Sequence, residues 1–281
     1  MPRSLYTTFG VKKILRPINH NLKVHGLSST LKNIVEKVSR NFTVNIPKST
    51  KKSLKNDPVL LICNHPSQAD VLLLLAAVPP RPKIFLVIMH GLSSILPAIG
   101  KYLIPVYITH RLNDKAKNDW KYHFFKKIHF IPEYSKEIAH QKNLKSIARA
   151  SQKIDEGSLV AIFPAGGSEN GHDFLPGVGH IIKNLKYPEK TKIVMAYVSG
   201  TSTWDFLRIF PFVKYFLPKF KIEFSDSIPA DNFSGDNGRL ISLQLQNVYD
   251  RWSLPFYPLP KFQKAVFYFR SLLFFFLFRG Q

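Results

Sequence analysis

The segment Pro58–Val78 reads PVLLICNHPSQADVLLLLAAV. Its first six residues, Pro58 to Cys63, are apolar without alternation, the pattern of a strand covered on both faces. Asn64 to Ala69 is polar and contains Pro66. A second apolar run then reads as a helix from Ser67 to Val78, stopped by Pro79 and Pro80. A buried strand, a short polar loop and an apolar helix are the alternation that an α/β sheet requires.

The same alternation extends outward. Ile84 to Met89, Leu103 to Ile108, Ile128 to Pro132, Ser158 to Phe163 and Lys192 to Val198 read as strands, and Lys219 to Phe224 alternates like a more exposed one. Ser93 to Tyr102, Ser135 to Ile154, His180 to Leu185 and Arg239 to Trp252 read as helices, with Asp155-Glu156-Gly157 stopping the second. Lys48 to Asp57 reads as a polar linker. Residues 1–45 read as basic and helical, with Leu27, Leu31, Ile34 and Val38 at helical spacing and Lys32, Glu36 and Lys37 off the stripe. That stripe suits either core packing or membrane docking. The predicted architecture is α/β: a mixed, largely parallel central sheet flanked by helices, with N-terminal basic helices and an aromatic C-terminal segment. Three regions are expected: 1–50 basic and amphipathic, 51–252 catalytic, and 253–281 aromatic and in contact with a membrane.

Charge narrows the partner. Of 281 residues, 40 are Lys or Arg and 18 are Asp or Glu, a net +22 that calls for an anionic partner. The cations are scattered, and the 23 Phe residues beside them suit a lipid headgroup boundary. No nucleic-acid motif accompanies the charge, so no nucleic-acid partner is expected. A single cysteine, Cys63, allows no intrachain disulfide, and its apolar surroundings suit a packed thiol. No secretory signal is visible at the start, and no run of about 20 apolar residues suggests a transmembrane helix. Ala265 to Phe278, broken by Arg270 and Ser271, suits an interfacial segment or a helix closing the core. Trp204 to Phe220 mixes aromatics, Pro and Lys, and suits either core or a membrane-facing loop.

Chemistry concentrates after the first strand. His65 leaves its carboxyl end, where α/β sheets gather functional groups, and Asp70 lies about one turn into the helix. A carboxylate on one ring nitrogen fixes the tautomer and leaves the other nitrogen as a base toward an acceptor hydroxyl. The resulting oxygen can attack an acyl thioester with no protein nucleophile. No G-x-S-x-G elbow is present. His110, His123 and His129 show no metal-ligand spacing, and no metal or cofactor is expected.

Asn64-His65-x-x-x-x-Asp70 after an apolar strand resembles the first motif of the glycerolipid acyltransferase family, the lysophosphatidic acid acyltransferase-like enzymes. Phe163-Pro164-Ala165-Gly166-Gly167-Ser168 resembles that family's Phe-Pro-Glu-Gly-Thr block. Phe174 to Ile182 resembles its Phe-Lys-x-Gly segment, and Ile193 to Gly200 its late Val-Pro-Val strand. The resemblance spans residues 58–252. It implies acyl transfer from acyl-CoA or acyl-carrier protein, as co-substrate, to a lysophospholipid, glycerophosphate or glycolipid hydroxyl. His65 is then the general base and Asp70 its orienting partner. Gly166 falls on the acceptor loop, where Gly167 and Ser168 also offer backbone N–H groups to an anion. Two departures stand out. Ala165 replaces the loop Glu, with Glu169 four residues later. The second motif is blurred, with Arg111 at the end of LIPVYITHR or the Arg-free Phe130-Ile-Pro-Glu-Tyr134 as its remnant. Arg111 is the candidate contact for substrate phosphate. His172 and Asp173 suit a turn. The expected location is peripheral, on the cytoplasmic face of a membrane, with the oligomeric state open. The competing reading is a non-catalytic basic protein that binds lipid or, less favoured, nucleic acid.

Overall fold

The computed structural model describes residues 11–39, 42–65, 67, 69–90, 97–107, 134–166, 173–202, 205–209, 212 and 215–256. Among these residues, eight strands form one sheet. They are β1 (Phe42–Asn45), β2 (Val59–Cys63), β3 (Ile84–Met89), β4 (Leu103–Val106), β5 (Leu159–Ile162), β6 (Lys192–Ser199), β7 (Phe220–Phe224) and β8 (Ile228–Pro229). Their order is β1-β7-β6-β2-β5-β3-β4, with β8 paired to β6. All neighbours are parallel except β6 with β7 and β6 with β8. The mixed, largely parallel sheet agrees with the α/β expectation.

The segment Pro58 to Cys63 lies at the centre because both its faces are covered. Val59, Leu61 and Cys63 enter one core, and Leu60 and Ile62 enter the other. β5 and β6 divide their residues between the two cores in the same way. On the first face lie α1 (Val11–His25), α2 (Leu27–Val38) and α4 (Asp70–Ala77), with α3 (Lys48–Asn56) contributing Leu54. On the second lie α5 (Lys136–Asp155), α6 (Pro176–Lys183) and α7 (Gly238–Ser253). β7 sends Phe220, Ile222 and Phe224 into the first core while Lys221 stays exposed, which accounts for its alternation.

The stripe on α2 belongs to the core. Leu27, Leu31 and Val35 are buried, Ile34 packs against them, and α2 lies against α4. Lys32, Glu36 and Lys37 are exposed. Several boundaries differ from the sequence expectation. Lys48 to Asp57 is not a linker: Lys48–Asn56 is helical, buries Thr50, Ser53 and Leu54, and bonds Thr50 Oγ1 to Ser225 O at 2.8 Å. Its Lys-rich outer face hides the three inward positions. Phe42–Asn45 is a strand, so residues 1–45 are not wholly helical; only alternate positions of this short edge strand are partly buried. The helix after β2 begins at Asp70 rather than Ser67, and α6 begins at Pro176, where a proline suits the first helical position. Pro97–Tyr102 is a 3-10 turn. Ile128 to Pro132 and Ala265 to Phe278 lie outside the described residues, as do parts of Trp204 to Phe220. No described helix is long and apolar enough to cross a membrane.

The end of β6 depends on glycine. Gly200, where β6 ends, has φ +81, and an added Cβ would lie 2.0 Å from Lys219 O. Gly200→Ala is expected to lower stability by about 2 kcal/mol or more, from strain and collision together. Urea denaturation checks this; a variant of wild-type stability would show that Lys219 yields freely.

Candidate active site

The site is built where the chain leaves β2. Asn64 continues the ladder with its side chain: Val198 N–H donates to Oδ1 at 2.7 Å, and Nδ2 donates to Val198 O at 2.9 Å. The Asn64 N–H donates to the Tyr249 hydroxyl at 3.1 Å, which itself donates to Ala196 O at 2.8 Å. Asn64 is thereby tied to β6 and α7, and the next residue, His65, projects at the carboxyl end of the sheet.

His65 stands between two partners. Its Nδ1 lies 3.3 Å from Asp70 Oδ2, and its ring packs on Phe163 with centroids 4.7 Å apart. Phe163 follows β5, the neighbouring strand, so adjacent strand ends supply the two rings. The imidazole retains 18% of its surface, whereas Asp70 is fully buried. Asp70 is the first residue of α4, not one turn in, because its carboxylate folds back to accept the Ser67 N–H. A carboxylate at a helix start also meets the positive end of the helix dipole. With Nδ1 facing Asp70, the favoured tautomer leaves the Nε2 lone pair free to take a proton.

Burial pushes the Asp70 carboxyl above the usual carboxylate range, and its bonds with His65 and the Ser67 N–H act in the opposite direction. Thr201 also favours the charged form, although its Oγ1 and Asp70 Oδ1 both lack a partner at bonding geometry. The Cys63 thiol is pushed up as well, by burial first and then by the Asp70 charge, so it remains an unreactive core group.

The loop after β5 is held at both feet. Gly166 N–H donates to Phe163 O at 3.0 Å, and Leu175 N–H donates to Pro164 O at 2.9 Å. Gly166 has φ +61, which a glycine adopts without strain. Because its N–H turns inward, the backbone donors that the sequence offered to an anion reduce to those of Gly167 and Ser168. Those two, with Arg111, Glu169, His110, His123, His129 and His172, lie outside the described residues. Ala165 is buried in the cluster that contains Phe174 and Val178, so this position supplies core packing and no carboxylate. Asp173 is exposed. From α7, Gln246 accepts the Phe174 N–H and Arg239 donates to Phe174 O, which fixes the far side of the loop. Among the described residues, no cluster of three His, Cys, Asp or Glu is placed to hold a metal ion.

Several supporting residues carry no sequence motif. Ser67 Oγ donates to Ser202 O at 2.9 Å, and Ser202 N–H donates to Asp205 Oδ2 at 2.7 Å. Asp205 Oδ1 accepts from Arg208 Nε at 2.8 Å in a buried pair. A polar chain thus runs from the loop holding Asp70 to the connection after β6.

Comparison with known proteins follows the same geometry. The acyltransferase family model matches residues 41–199, the span from β1 to the end of β6. Among solved structures, the 1-acyl-sn-glycerophosphate (LPA) acyltransferase PlsC from Thermotoga maritima is similar, with 14% identity. The match covers 85% of this chain and 78% of that one at a TM-score of 0.41, a likeness too low to speak to substrate. No curated protein sequence matches the chain.

The raised Asp70 pKa has a consequence for stability. Such a group favours folding most when protonated: its contribution is complete below an ordinary Asp pKa of about 3.9 and is lost as pH rises through the higher folded value. Asp70→Asn keeps an acceptor for Ser67 N–H with no charge to bury. It is expected to melt at or above the wild-type temperature at neutral pH, with the gap closing on acidification. Calorimetry across pH checks this, and a wild type that melts higher at neutral pH would contradict it.

Proposed function

Because this chain belongs to the acyltransferase family, we propose that it moves a fatty acyl group from acyl-CoA or acyl-carrier protein to a hydroxyl of a lipid acceptor. The acceptor is a lysophospholipid, glycerophosphate or glycolipid, met at an anionic membrane surface on the cytoplasmic side. Neither metal nor cofactor enters the reaction. Family membership removes the competing reading of a non-catalytic basic protein.

The observation that supports these roles is the approach of Asp70 Oδ2 to His65 Nδ1, at 3.3 Å, beyond the end of the central strand. In this reading Nε2 of His65 takes the proton of the acceptor hydroxyl. The oxygen attacks the thioester carbonyl, and a C–O bond forms. As the tetrahedral centre collapses the C–S bond breaks, and the imidazolium returns its proton to the departing thiolate. Asp70 steadies the imidazolium between these steps, and Phe163 limits its rotation.

The acceptor side is read with less chemistry. Gly166 opens the acceptor loop, Gly167 and Ser168 supply its anion contacts, and Arg111 is the cation for a phosphate. Ala165 brings no carboxylate to the loop, which favours acceptors that need none, including glycolipids.

His65→Ala is expected to lower kcat by about 10²- to 10⁴-fold, the usual loss of a positioned general base. Thermal unfolding should still be cooperative, at a lower midpoint, since the ring packs on Phe163 and bonds Asp70. Release of free CoA with a panel of lysolipids and glycolipids, followed by mass spectrometry, measures both turnover and acceptor. Full transfer by His65→Ala would remove the histidine from the mechanism.

A further inference from the structure

The connection between β6 and β7 exposes aromatic side chains. Phe212 is 78% exposed, Phe216 65% and Tyr215 56%. Tyr215 N–H donates to Phe212 O at 3.2 Å, which brings the three onto one turn. Rings this open are costly in water, and three together mark a contact surface.

The turn stands on a rigid base. Arg208 is buried, bonds Asp205 at 2.8 Å, and donates to Pro218 O at 2.7 Å and Gly200 O at 3.4 Å. One guanidinium thus joins the entry, the first turn and the exit of the loop, while it lies 3.9 Å over the Phe220 ring. The two ends of the connection are therefore tied together through a buried charge.

Its place follows from topology. β6 runs parallel to β2, so it ends at the same edge of the sheet as His65. β7 runs antiparallel to β6, so it begins at that edge. Both feet of the loop lie at the catalytic end, and Ser202 O in its first turn accepts from Ser67 Oγ. Lys219 is exposed at the loop's exit, on a chain of net charge +22, while Lys221 on β7 is paired with Glu223 at 2.6 Å. Aromatic rings beside a cation match the boundary of an anionic bilayer, where rings enter the headgroup layer and Lys meets the phosphates.

We infer that Phe212 and Phe216, on the connection between β6 and β7, dock the enzyme onto an anionic lipid bilayer, which turns the His65 end of the sheet toward the membrane. The inference rests on the reading of the acceptor as a membrane amphiphile. It gives that acceptor a short route from the bilayer to the base.

The test compares full-length wild type with Phe212→Ser/Phe216→Ser on sucrose-loaded vesicles of phosphatidylcholine, with and without phosphatidylglycerol. Wild type is expected to sediment with the anionic vesicles, and less so as salt is added. The double variant is expected to lose about tenfold or more in partition. Its thermal unfolding and its turnover of a short-chain, water-soluble acceptor should match wild type. Equal partition of the two proteins, or no partition of wild type, overturns the inference. So does a change in oligomeric state without a change in partition, which makes these rings a contact between copies. His65→Ala separates the two readings, since it should lose transfer yet keep partition. If wild type transfers no acyl group to any lipid while partition still depends on Phe212 and Phe216, docking stands and the acceptor reading falls.

Discussion

The pairing of the Asn64 amide with both main-chain groups of Val198 is the contact on which the site depends. A strand that ends in the middle of a parallel sheet leaves its next peptide free to swing. Here a side chain completes the ladder for one more position, and the Tyr249 hydroxyl takes the Asn64 N–H as well. The direction in which His65 leaves the sheet is therefore set by main-chain-like hydrogen bonds in a partly buried setting, where their loss is costly. His65 and the neighbouring Phe163 meet because β2 and β5 are paired in register up to Ile62 and Ile162.

The central half of the fold is legible in the sequence, and the physical reason is burial on two faces. β2, β5 and β6 lie inside both cores, so each appears as an uninterrupted apolar run. The edges are less legible. β1 is four residues long and partly buried at alternate positions, and α3 turns only Thr50, Ser53 and Leu54 inward, so each hides behind polar neighbours. The start of α4 at Asp70 is set by a bond from Asp70 back to Ser67, which propensity alone does not express.

The same division holds in the site. His65 and Asp70 lie five residues apart on either side of a turn, and their meeting is readable from that spacing. Their supports are distant in the chain: Val198, Ser202 and Tyr249 reach the loop from β6, the connection after it and α7. No local pattern announces them, because each is a single ordinary residue made important by tertiary placement. Ala165 shows the reverse. It breaks a recognisable motif, yet it fits its surroundings, as a methyl group packed with Phe174.

Among the described residues, β4 is the last strand on its side of the sheet. Asn143 on α5 pairs with both main-chain groups of Tyr107, each at 2.8 Å, just past the end of the strand. Two residues earlier, Pro105 has no N–H to offer, and its carbonyl accepts Ser146 Oγ at 2.6 Å. From Pro105 onward the groups that an incoming strand would need are already taken by one helix. An open parallel edge is a template for another chain. With these groups taken, a second copy of the chain finds no ladder to extend beside Pro105 and Tyr107, and this stretch is protected from edge-to-edge aggregation.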